Sequence, residues 1–141
     1  MRSHEASAAI KASPAAVWEV LVDGAGWNTW DSGVDAVEGR FAPGEKVRIR
    51  SAAAPGRAFP VVVSTFEPPH RLVLTGGMPL GLFRGVRTYT VSPAGEGASA
   101  FVVREEFTGP LLGLIGRSIP DLQPSFTQFA EGLKRRVEGR P

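Results

Sequence analysis

The chain has 141 residues, 43% hydrophobic and 21% charged, with a formal net charge of +2 and no cysteine. That length suits a single domain, residues 1–141, with a core of its own. Disulfides, thiolate nucleophiles and thiolate-bound metals are excluded, and no run approaches the ~18 apolar residues of a membrane span.

The opening "MRSHEASAAIKASPAAV" lacks the apolar block of a signal peptide, so the expected location is cytoplasmic. Within it, "SHEASAAI" alternates and reads as a strand with Ala6, Ala8 and Ile10 on one side. Ser13-Pro14 then starts a helix, with serine as cap and proline where its missing donor costs nothing. Val17, Trp18 and Leu21 follow at helical spacing, and Gly24 and Gly26 are expected to end the helix. Trp27 and Trp30, three apart, share one face of a second short helix.

From Val34 the pattern changes. Strands are expected at about 34–40, 45–52, 58–67, 70–76, 82–92 and 98–108, separated by "APGE", "APGR", "EPPH", "GGMPLG" and "SPAGEGA". Six strands joined by short turns make an antiparallel meander rather than βαβ units. Beyond them, Leu111, Ile115, Ile119, Leu122, Phe126, Phe129, Leu133 and Val137 form a helical apolar stripe. Pro120 and Pro124 fall inside it and should divide a short segment near 110–117 from a regular helix near 121–137. The cluster "LKRRVEGRP" reads as a solvated last turn or an anionic contact, and no aromatic stacking residues accompany it.

This order, with "SPAAVWEVL", "WNTWDSGV", "EGRFAPGEKVRIR", "FEPPHRLVLTG" and "GLKRRVE" as its most specific points, resembles the START-like (SRPBCC) superfamily, polyketide cyclase/dehydrase-like. The resemblance implies an α+β helix-grip fold: a curved antiparallel sheet of about seven strands around a long C-terminal helix, with two short helices after the first strand. One helix, only ~10–12 Å across, cannot fill the concave face, so a cavity is expected. Members of the superfamily hold lipids, sterols, polyketides or other hydrophobic molecules in it.

The last hairpin can be registered from its turn near Glu96. Val91 should face Phe101, Tyr89 face Val103, Arg87 face Glu105 and Gly85 face Phe107, all on the apolar side. The expected ligand-contacting set is therefore Arg87, Tyr89, Val91, Phe101, Val103, Glu105 and Phe107 from the strands, and Ile115, Ile119, Leu122 and Phe126 from the helical stripe. Trp30 is added at the base, either as a ligand contact or as packing. Met78 joins from the loop 76–83, which with 108–116 is the expected mouth.

Recognisable chemistry is sparse. His4 and His70 cannot make a histidine metal triad, and no nucleotide-binding glycine motif or serine nucleophile stands in context. Arg87, Glu105 and Tyr89 are the one polar constellation placed inside, open to reading as a salt bridge, a ligand contact or an acid–base pair. The expected function is binding or carriage of a small hydrophobic molecule, without a cofactor and with no nucleic acid or integral membrane partner. The alternatives are an aromatase/cyclase-type polyketide-processing enzyme and a protein-interaction module, with a homodimer left open.

Overall fold

The computed structural model describes residues 2–52, 56–115 and 121–139. Seven strands form one antiparallel sheet: β1 (Arg2–Ile10), β2 (Val34–Glu38), β3 (Lys46–Ser51), β4 (Phe59–Glu67), β5 (Arg71–Met78), β6 (Phe83–Pro93) and β7 (Ser99–Thr108). Their order is β1-β7-β6-β5-β4-β3-β2, so the meander runs out and β1 returns to pair with the last strand. The sheet curls around a C-terminal helix in the helix-grip arrangement that the sequence resemblance implies.

Helix α1 (Pro14–Val22) starts where Ser13 Oγ accepts from Ala16 N at 3.3 Å, and it buries Val17, Trp18 and Leu21. It ends at Asp23 rather than at the two glycines. Gly24 and Gly26 instead lie inside the following 3₁₀ helix (Gly24–Thr29). The reason is a close approach: a Cβ on Gly24 would stand 2.9 Å from side-chain atoms of Phe41 and of Val37. Trp27, inside that helix, and Trp30, the extended residue that follows it, both pack on Phe129.

The C-terminal stripe holds two helices, with a revision to the role expected of the prolines. Helix α2 (Leu112–Ile115) is short, and α3 (Gln123–Val137) is the regular helix in the sheet's concavity. Pro124 lies in the first turn of α3, where a missing backbone donor leaves no bond unmade, so it begins the helix instead of kinking it. Pro120 falls outside the described residues. Phe126, Phe129, Ala130 and Leu133 turn inward, and Gly132 lets the backbone carbonyl of Asp31 come closer than any side chain would permit. Two residues of the basic cluster at the end of α3 are used within the molecule: Lys134 bonds the Ala9 carbonyl and Glu138, and Arg135 pairs with Asp31 at 2.8 Å.

Candidate functional site

One half of the sheet's concave face is filled. Trp27, fully buried, has its ring centroid 5.0 Å from that of Phe41, 6.0 Å from Tyr89 and 4.8 Å from Phe129, and its indole N–H donates to the Leu21 carbonyl at 2.9 Å. The other half is open. Between the sheet and α3 lies a cavity of about 470 Å³ whose walls come from β3 to β7, α3 and the segment Ser32–Val34. Ile49, Val61, Leu74, Val103 and Phe107 supply the strand side, and Leu122, Phe126 and Phe129 the helix side. Gly76 and Gly85 stand in the strand wall and add no bulk; a Cβ on Gly85 would already crowd the Phe107 ring at 3.2 Å.

Ser32, Ser51, Arg57 and Ser125 also stand on this apolar space, and one rung of the sheet adds its charged pair. Glu105 of β7 is paired with Arg87 of β6 on one side and with His4 of β1 on the other. Arg87 Nη2 donates to Glu105 Oε1 at 3.0 Å, and the two side chains are 23% and 11% exposed. The guanidinium also stands over the Phe126 ring, 4.8 Å from its centroid, a cation–π distance. Its Nε is buried and has no hydrogen-bond partner among the described residues, and the same is true of His4 Nε2. Burial works against the charge on Arg87, but Glu105 and Tyr89 outweigh it and hold the guanidinium above its ordinary pKa. Burial pushes the Tyr89 hydroxyl upward, and the neighbouring Arg87 offsets only part of that.

The register of β6 and β7 is the one the turn predicts, with Val91 opposite Phe101, Tyr89 opposite Val103, Arg87 opposite Glu105 and Gly85 opposite Phe107. Of the residues expected to meet a ligand, Arg87, Tyr89, Val103, Glu105, Phe107, Ile115, Leu122 and Phe126 line the cavity. Val91 and Phe101 do not: they share the concave face but lie in its packed half, where Phe101 meets Tyr89 and Phe129. Trp30 is also elsewhere, because it fills the space beside Gly132 and stacks edge-on against Phe129. Met78 is exposed and does not line the cavity, because it is the last residue of β5, where the strand runs out into the β5–β6 turn. Ile119 lies outside the described residues.

Sequence reasoning missed the wall formed by Ile49, Val61 and Leu74, and it missed His4 beside Glu105. Both were carried by strand parity. Val47 and Ile49, Val61 and Val63, and Leu72 and Leu74 alternate with other residues in their strands, and His4 has the parity of Ala6, Ala8 and Ile10. Among the described residues no group of three or more His, Asp or Glu stands where it could hold a metal ion.

Residues 1–138 match the model of a family described as polyketide cyclase / dehydrase and lipid transport. No curated protein matches the chain. Among solved structures, TTHA0849 from Thermus thermophilus is 22% identical over 98% of each chain, with a TM-score of 0.71. A START superfamily protein from Mycobacterium smegmatis is 13% identical over 97% of each chain, with a TM-score of 0.69. A point mutant of norcoclaurine synthase from Thalictrum flavum, in complex with a transition-state analogue, is 14% identical. That alignment covers 96% of this chain and 93% of the synthase, with a TM-score of 0.68. At these identities the likeness is one of fold.

Proposed function

Because the chain belongs to the polyketide cyclase / dehydrase and lipid transport family, we propose that it binds and carries a small hydrophobic molecule in the cavity between the sheet and α3. The observation that carries this reading is the void itself, about 470 Å³ bounded mainly by apolar side chains. Ligand sites usually span roughly 300–1,000 Å³ and combine apolar walls with a few placed polar groups. A cavity of that kind stays open at a cost in lost packing, which a bound molecule removes. Arg87 and Glu105 give the ligand a charged anchor on the β6–β7 wall, so an amphipathic molecule with a hydrogen-bonding end fits best.

A second reading, an aromatase/cyclase-type enzyme, draws support from one feature. A guanidinium, a carboxylate and a phenol converge on the same apolar wall, where a fixed charge pair acts on a substrate more strongly than it would in water.

Native mass spectrometry of freshly purified protein should reveal a co-purified small molecule. The environment-sensitive dye 8-anilinonaphthalene-1-sulfonate should fluoresce on entering the emptied cavity and be displaced by that molecule. Protein without a co-purified mass and without dye binding would sink the carrier reading. Incubating the protein with a linear poly-β-ketone analogue separates the two readings: a carrier returns it unchanged, and an enzyme returns a cyclised isomer or its dehydrated product, resolved by chromatography.

A further inference from the structure

We infer that the outer edge of β1 is a strand-pairing surface for a second copy of this chain, and that Gln123 and Lys134 of α3 hold it shut. The strands at the two ends of the sheet, β2 and β1, are built differently. β2 has five residues, a break in its register with β3 and a charged pair, Glu38 with Arg50 at 2.8 Å. Short length, irregularity and charge all blunt an edge. β1 has nine residues, pairs with β7 without a register shift and contains no proline. Its middle, residues 6–9, carries no charge. A long, regular and neutral edge is a ready template for another strand.

Side chains of α3 occupy that edge instead. The Gln123 amide meets Glu5 as the backbone of a neighbouring strand would. Its Nε2 donates to the Glu5 carbonyl at 2.7 Å, and its Oε1 accepts from Glu5 N at 3.4 Å. Lys134 Nζ donates to the Ala9 carbonyl, and Glu138 accepts from Lys11 N at 2.8 Å. Gln123 and Lys134 are eleven residues apart, about three turns, so they leave the helix on one side. That length of helix rises roughly 16 Å, and the strand from Glu5 to Ala9 spans roughly 13 Å, so one stripe of α3 reaches both positions. Glu5, Ala9 and Lys11 direct backbone groups outward, and alternation gives Ser7 the same orientation. Ser7 is exposed, and among the described residues no group of α3 hydrogen-bonds to it.

Ser7 is also the centre about which two copies match. Antiparallel pairing there sets Glu5 opposite Ala9 of the second copy and Ser3 opposite its Lys11, with Glu5 diagonal to Lys11 on both sides of the axis. No like charges face each other, and opposite charges on the diagonal support the register. The arrangement closes on itself, because both copies use the same patch. A dimer is therefore favoured over an open chain of strands.

The test is sedimentation velocity over a range of protein concentrations. The wild type should remain a monomer. Gln123→Ala with Lys134→Ala should raise the dimer fraction about tenfold or more at equal concentration, because the edge is then unguarded. Lys134→Met, which keeps the apolar stem and removes only the donor, should shift it the same way with less lost packing. Adding Ser7→Pro to the double variant should restore the monomer. Proline removes the outward donor at the centre of the pair and spares the β1–β7 ladder, since Ser7 N–H points away from β7. One measurement needs no variant: amide exchange in the wild type should be slower at Glu5 and Lys11, whose N–H groups are bonded to α3, than at Ser7. Equal exchange at the three positions, or a wild-type dimer, would overturn the proposal, since α3 would not be closing the edge. So would folded guard variants that stay monomeric, a dimer that survives Ser7→Pro, or open-ended aggregates in place of a dimer. Should the double variant fail to fold, Lys134→Met and the exchange pattern decide.

Discussion

Strands β6 and β7 run beneath both halves of α3, yet one half is solid and the other hollow. In the solid half Val91 and Phe101 lie under an aromatic cluster built on Trp27, Tyr89 and Phe129. In the hollow half the same two strands present Gly85, Arg87, Glu105 and Phe107 to open space. The curvature of the sheet does not account for the difference. Two other features do: α1 and the 3₁₀ helix bring Trp18 and Trp27 to one end only, and Gly76 and Gly85 withhold bulk at the other. The Arg87–Glu105 pair stands close to the border, one step along the strands from Tyr89 and Val103.

The sharpest way to break this comparison is to remove bulk from each half and compare the cost. Trp27→Ala deletes a fully buried ring with aromatic neighbours on several sides and should cost about 3–5 kcal/mol, as large-to-small core changes do. Leu122→Ala, on the cavity wall and only half-buried, should cost about 1 kcal/mol, because one side of it already lacks packing partners. Urea denaturation of both variants decides it. Equal losses would mean that the hollow half is packed in solution and the cavity is closed.

Next in size is the charge pair. Removing one member of a fully buried pair costs about 3–5 kcal/mol and of an exposed pair about 0–1 kcal/mol. With side chains 23% and 11% exposed, the pair stands nearer the buried limit. Glu105→Gln is expected to cost about 2–3 kcal/mol by leaving Arg87 uncompensated on an apolar wall. A double-mutant cycle with Arg87→Met, read by denaturation and by dye affinity, separates a structural pair from one that reads ligand. Loss of stability at constant affinity marks the first, and loss of affinity at nearly constant stability marks the second.

What the sequence made legible follows from how local each signal is. Strand alternation and a short turn specify the β6–β7 register, so the meeting of Arg87 with Glu105 is legible in the sequence. The helical apolar stripe likewise announced α3. Placement of the void was not legible, because it depends on which half of the concave face the 3₁₀ helix covers, and that is a tertiary fact. Val91 and Phe101 have the correct parity for a cavity wall and are excluded from it only because Trp27 and its aromatic neighbours occupy the space above that half. Pro124 shows a related limit: a proline at helical spacing marks a boundary, and whether the helix kinks or begins there depends on the residues before it.

A smaller effect on stability, but a complete one on binding, should come from filling the hollow half without touching the solid one. Ser125 lines the cavity from α3 and carries little volume. Ser125→Phe places a ring in existing space, so it should change stability by no more than about 1 kcal/mol while abolishing dye uptake. A large destabilisation would mean that no such space exists. Unchanged dye uptake would mean that the dye binds elsewhere, and the carrier reading would lose its assay and its main support together.

The smallest expected effect examines the border. Tyr89 belongs to both halves: its ring packs with Trp27, Phe101 and Phe129, and its hydroxyl side lies beside Arg87 on the cavity wall. Burial raises its pKa and Arg87 lowers it only in part, so the folded value stands above the ordinary one. The sign of the pH dependence follows. Stability carried by the protonated phenol is fully present below the unfolded pKa of ~10 and is lost as pH rises through the folded value, because the unfolded chain ionises first. Tyr89→Phe should therefore flatten the alkaline side of the stability profile and cost about 1 kcal/mol or less at neutral pH. The chain contains a single tyrosine, so tyrosinate absorbance during a pH titration reports Tyr89 alone. In the folded protein the absorbance should rise only above the ordinary range, and in denaturant it should rise within it. Arg87→Met should delay it further, since the cation that favours the phenolate is gone. Should tyrosinate form at the ordinary pH in the folded wild type, water reaches the Tyr89 hydroxyl freely, and the hollow half extends deeper beneath α3 than the boundary at Arg87 and Glu105.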